Sequence, residues 1–175
     1  MKRKRSCIAN IYSLVLILLA PSVHAKPDDA LHTTLKNGMQ VVILRNTLAP
    51  AVTTRLTYLA GSNEAPAGFP GMAHALEHMM FRGSEGLSAE QLANLTAAMG
   101  GRSNAFTRQS LTQYYFTVPA DQLEMVLRIE AARMKTVLAT EELWKKERGA
   151  IEQEVARDLS SPLYVFYSRL LARLF

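Results

Sequence analysis

Three residues stand at a spacing that could do chemistry: His74, Glu77 and His78, an HxxEH pattern in a stretch that reads as helix. Residues four apart share one helical face, so two imidazoles can reach one metal ion at roughly 2.0 to 2.1 Å, as tetrahedral zinc requires. Glu77 is one step from His78. It can stand over the open coordination position and take a proton from a water there without being a ligand itself. The plain alternative is two surface histidines beside a solvated glutamate. Against it, Met72, Ala73, Leu76, Met79, Met80 and Phe81 make the helix apolar nearly all round, which predicts burial. Buried imidazoles and a carboxylate need partners, and a metal ion is the simplest common one.

A catalytic zinc takes three protein ligands, so a further side chain is needed. The only other histidine beyond residue 25, His32, opens a strand-like run and reads as a surface residue. Carboxylates are better placed. On the helix expected from Glu141 to Ser160, Trp144, Ile151 and Val155 form an apolar stripe, and Glu147, Glu154 and Asp158 lie within about 60 degrees of Ile151. Glu152 points to the other side. Periodicity leaves Glu147, Glu154 and Asp158 open, and Lys145, Lys146 and Arg148 would equally suit an ordinary salt-bridged face.

The elements that must position these residues follow from turn and cap signals. Leu31 to Asn46 holds Asn37-Gly38 between two strand-like runs, a hairpin pattern, and Ala51 to Ala60 reads as a third strand. Gly61 to Gly71 is a loop, and the motif helix runs from Met72 to Phe81. Ser88 with Gln91 forms a capping box for a second helix that stops at Gly100-Gly101. Ser103 to Arg108 and Leu111 to Val118 form another strand pair. Pro119 starts a helix, Thr140 caps a long one that stops before Pro162, and Leu163 to Phe175 is apolar with a helical pattern. Strands and helices mix without regular βαβ alternation, which predicts an α+β fold with a largely antiparallel sheet and helices packed on it.

Composition excludes other classes. With 49% hydrophobic and 20% charged residues in 175, the chain is neither disordered nor fibrous. The net charge of +5 owes much to Lys2, Arg3, Lys4 and Arg5. Beyond residue 25, 16 basic residues face 15 acidic ones, too even a balance for a nucleic-acid-binding footprint. Residues 1–25 read as a signal peptide: a basic start, a 13-residue apolar run from Ile8 to Ala20, and Val23 and Ala25 before a cleavage site at Lys26. That run is shorter than the ~20 residues of a membrane span. The single cysteine, Cys7, lies within this leader, so the mature chain builds its core without disulfides. Secretion across an inner membrane into a periplasm is expected, with no stable membrane insertion after cleavage.

Three runs carry a resemblance: GMAHALEHMMFRGS from Gly71, GGRSNAFTRQSLTQYYFTV from Gly100 and ERGAIEQEVARD from Glu147. Together they resemble the pitrilysin/insulinase (M16) zinc metallopeptidases over nearly all of the chain beyond residue 25. The resemblance implies one zinc per chain held by His74, His78 and Glu154, with Glu77 as general base and Glu147 as a supporting carboxylate. It implies that Asn104, Ala105 and Phe106 lie on an edge strand that receives a peptide substrate by strand addition. The implied activity is cleavage of peptides or small unfolded proteins by metal-activated water. Members of the family close two or more such domains around the substrate. Residues 26–175 are therefore expected to be an N-terminal zinc-peptidase domain, incomplete at its C-terminus, that relies on a second M16-like domain or subunit. The other classes to weigh are a non-catalytic subunit and a module that only captures peptides.

Overall fold

The structure, a computed structural model, describes residues 30–174; the leader expected at residues 1–25 and its cleavage at Lys26 lie outside them. The chain divides into two compact units between Leu48 and Ala49. The first contains a hairpin of β1 (Ala30–Thr34) and β2 (Gln40–Leu44), with Ala30 opposite Leu44 and Thr34 opposite Gln40. Its turn is held as the Asn37-Gly38 signal predicts. The Met39 N–H donates to Asn37 Oδ1 at 3.1 Å, and the Leu35 N–H donates to the Met39 carbonyl at 2.9 Å.

The second unit is built on a three-stranded antiparallel sheet of β3 (Ala51–Tyr58), β6 (Arg102–Thr107) and β7 (Thr112–Pro119), in the order β3-β7-β6. β7 is the centre because its alternation is strict. Thr112, Tyr114, Phe116 and Val118 are buried while the residues between them are not, as a strand with one face on the core requires. Onto that face pack α2 (Ala89–Ala98) and α3 (Leu123–Lys135), whose Leu92, Val126 and Ile129 join Phe116, Val118, Leu87 and Met99 in the core. Between them runs a two-residue ribbon of β4 (Gly83–Ser84) and β5 (Leu87–Ser88), too short to leave a period in the sequence. The Ser88 hydroxyl accepts from the Gln91 N–H, and the Gln91 side chain answers on the Ser88 N–H, the capping box expected from the sequence.

Positioning the motif depends on the loop before it. The Ser62 and Asn63 N–H groups donate to the carbonyls of Arg108 and Gln109 at 2.9 Å each, docking the chain on the β6–β7 turn. A Cβ at Gly61 would collide with the Arg108 carbonyl, so this approach needs glycine. Gly71 then takes φ 86°, left-handed, as the cap from which α1 (Met72–Met79) departs. The helix end is pinned by Arg133 of α3, which is buried. Its Nε–H donates to the Met80 carbonyl at 3.2 Å, its Nη1–H to Glu130 Oε1 at 3.1 Å, and its guanidinium lies 4.9 Å from the ring centroids of both Phe81 and Tyr114.

α4 (Glu141–Leu159) is capped by the Thr140 hydroxyl, which accepts from the Leu143 N–H. α5 (Pro162–Leu174) follows, with Pro162 opening it rather than merely ending α4. Two expectations need correction. Met72 and Leu76 are exposed while Met79 and Met80 are buried, so α1 is buried on one side only: it packs against β6 and α4 and leaves its other flank open. Trp144 and Val155 are likewise exposed while Ile151 is half-buried, because α4 turns to α1 the flank of its stripe that carries Glu147 and Glu154.

Candidate metal centre

α1 supplies two imidazoles on one face, as the i, i+4 spacing predicts. His74 Nε2 and His78 Nε2 converge to 3.1 Å, with their rings perpendicular and 4.6 Å apart. Across from them α4 presents Glu147, Ala150 and Glu154, at the three- and four-residue steps that keep side chains on one helical face. Glu154 Oε2 is 3.4 Å from His78 Nε2, and Oε1 is 4.0 Å from His74 Nε2. One ligand atom each from His74, His78 and Glu154 thus falls within 4.8 Å of the others.

This geometry suits zinc. Two nitrogens bound tetrahedrally at 2.0 to 2.1 Å stand about 3.3 Å apart, close to the observed pair, and two imidazoles with one carboxylate form a familiar zinc donor set. A neighbouring carboxylate prepares it. Glu147, buried, accepts the Nδ1–H of His78 on Oε1 at 2.8 Å, which leaves the lone pair of that imidazole at Nε2, facing Glu154 and His74. The other Glu147 oxygen pairs with Arg82. Burial pushes the Glu147 carboxyl up, but the hydrogen bonds and charges of Arg82 and His78 outweigh it, so the group titrates below the ordinary glutamate range and stays ionised.

Glu77 is buried beside this cluster, and its Oε2 accepts a 2.5 Å hydrogen bond from the Thr107 hydroxyl on β6. His74, Glu77, His78, Glu147, Glu154, Asn104 and Ala105 line one open cleft of about 840 Å³. Asn104 and Ala105 belong to β6, which has no further strand beyond it among the described residues. The Ala105 N–H donates to Asn104 Oδ1 at 2.9 Å. Phe106 is not part of the cleft wall, and its ring lies 5.5 Å from the Arg108 guanidinium. Asp158 approaches Arg157 and stands outside the donor cluster; His32 is exposed on β1 of the other unit.

Arg82 and Thr107 are the site residues that pattern reading missed. Arg82 lies just beyond the end of α1, where helical spacing gives no signal. Nothing local marks Thr107, which reaches Glu77 only because β6 packs on α1.

A paired-histidine and carboxylate donor set thus stands beside a buried glutamate and an open strand edge in an α+β domain. Residues 40–172 match the model of the insulinase family, peptidase family M16. The chain belongs to that family. It is 30% identical to a zinc protease, PqqE, of Helicobacter pylori over 93% of this chain and 37% of the relative. To the insulin-degrading enzyme of Drosophila melanogaster it is also 30% identical, over 74% of this chain and 13% of that one. The crystal structure of a protease from Helicobacter pylori superposes with a TM-score of 0.71 over 79% of this chain and 33% of its own, and that of pitrilysin with 0.68 over 77% and 15%. The chain spans well under half the length of these relatives.

Proposed function

We propose that this chain carries the zinc site of an endopeptidase that cleaves peptides or small unfolded proteins, and that it acts together with a second M16-like half. The observation that carries the reading is the convergence of His74, His78 and Glu154 within 4.8 Å, in the same cleft as Glu77 and the edge of β6. One zinc per chain, held by those three residues, would acidify a water and polarise a carbonyl. The rest is done by the chain's own groups. An extended peptide lies along Asn104, Ala105 and Phe106, adding a strand to the sheet by main-chain hydrogen bonds. Glu77 accepts a proton from the attacking water at its carboxylate and passes it to the nitrogen of the departing amine. Glu147 holds the ring of His78 in place throughout.

Alanine at His74, His78 or Glu154 should take the zinc content from about one per chain to near zero. Glu77→Gln should keep the metal and abolish cleavage. Full metal content in Glu154→Ala together with loss in Asp158→Ala would show that the third ligand is misassigned. The reading includes export, supported by the basic and apolar leader before Lys26. N-terminal sequencing of the exported protein should return Lys26, and recovery of residues 1–25 in a membrane fraction would contradict it.

A further inference from the structure

The Glu77 carboxylate receives one hydrogen bond from another side chain among the described residues, and it comes from a different element. Thr107 Oγ1 donates to Oε2 at 2.5 Å across the junction of β6 and α1. A hydroxyl has one proton, so this bond commits it. The neighbouring hydroxyl is committed as well: Thr112 Oγ1 lies 3.4 Å from Thr107 Oγ1 and donates to the Ala60 carbonyl at 3.0 Å. Thr107 and Thr112 are opposite one another in the β6–β7 ladder, and a β-branched side chain in a strand has few χ1 choices. The donor is therefore fixed by the sheet, not by the helix that carries Glu77. A glutamate at the end of three rotatable bonds is thereby anchored at Oε2, while Oε1 has no side-chain donor among the described residues and the residue lines the cleft.

β6 is also the strand along which, in the function proposed above, the peptide lies. We propose that Thr107 is the positioning residue for Glu77, tying the proton-accepting carboxylate to the strand that receives the substrate so that base and scissile bond share one frame. A general base must come within about 2.6 to 3.2 Å of the proton it removes, and a 1 Å misplacement can cost about 10²-fold. The effect belongs to the chemical step and not to binding, since Thr107 supplies Glu77 rather than the peptide.

Two measurements test this. In the zinc-loaded chain assembled with its second half, Thr107→Val, which keeps the branched shape and removes the hydroxyl, should lower kcat about 10- to 100-fold with KM and zinc content unchanged. Thr107→Ser should restore most of the rate, and Thr107→Ala serves if the valine variant does not fold. An unchanged kcat, or a loss confined to KM, overturns the proposal. Independently of turnover, a double-mutant cycle of Thr107→Val and Glu77→Ala on unfolding of the zinc-loaded chain at fixed free zinc should show coupling of at least about tenfold in the equilibrium constant, as befits a hydrogen bond to a charged group. Additive effects overturn it. If the assembled protein cleaves no peptide at all, the peptidase reading fails on its own account, and the cycle alone decides whether Thr107 holds Glu77.

Discussion

At the scale of single residues, the centre is organised around two carboxylates that do not belong to the donor cluster. Glu77 is oriented by a hydroxyl and Glu147 by a guanidinium, and both are buried. Glu147 cannot swing away from His78 while Arg82 holds its other oxygen. Arg82→Leu should therefore weaken zinc binding about tenfold, and Glu147→Gln by about 10- to 100-fold, the range found when partners of metal-binding histidines are removed. Competition with a chromophoric chelator reads both, and equal affinity for Arg82→Leu and the parent chain would show that the pair does not support the centre.

At the scale of elements, α1 is held at its start by the docked loop of Ser62 and Asn63 and at its end by Arg133. The Arg133–Glu130 pair leaves a pH signature. Burial raises the Glu130 carboxyl above the ordinary glutamate value despite the opposing charge of Arg133. The folded chain then keeps the proton to higher pH than the unfolded chain, so this group's contribution to stability is complete below the unfolded value, near 4.3, and is lost as pH rises through the folded one. Replacing Glu130 with Gln removes the titration. The stability of the parent chain relative to Glu130→Gln should thus fall as pH rises from about 4 toward 7, measured as the difference in urea midpoints. A difference that stays flat across that range would mean the carboxyl titrates normally.

At the scale of the whole molecule, the chain covers about a third of the Helicobacter pylori protease and 15% of pitrilysin. Its last helix also presents Leu163, Phe166, Tyr167 and Leu174 with more than half of each exposed. The cleft is open, and in the function proposed above the second half supplies the donors that close over the carbonyl oxygen from the opposite side. Losing one such donor typically costs about 10² to 10³ in rate. The isolated zinc-loaded chain should accordingly hydrolyse unstructured peptides very slowly, and addition of a homologous second half should raise turnover at least about 100-fold, with Glu77→Gln as the blank. Brisk Glu77-dependent cleavage by the lone chain, unchanged on addition, would remove the need for a second half.

The local features were legible in the sequence because each is settled within a few residues. The i, i+4 histidines share a face because the helical pitch places them there, Ser88 and Gln91 cap because they are three apart, and Asn37-Gly38 turns because glycine tolerates its φ. Tertiary structure decided what depends on residues far apart in the chain. Hydropathy drew the packing stripe of α4 through Trp144, Ile151 and Val155, yet Trp144 and Val155 are exposed and the helix turns the neighbouring Glu147 and Glu154 toward α1, because ion pairing and imidazole hydrogen bonds across the cleft reward polar groups there. Spacing alone left Glu147, Glu154 and Asp158 equivalent. The family resemblance implied Glu154 as the ligand and Glu147 as its support, and the packing of α4 against α1 gives the physical separation, setting Glu154 among the histidine nitrogens, Glu147 behind His78 and Asp158 beside Arg157. Thr107 meets Glu77 from thirty positions away in the chain, a contact made by the packing of a strand against a helix and encoded in no local pattern.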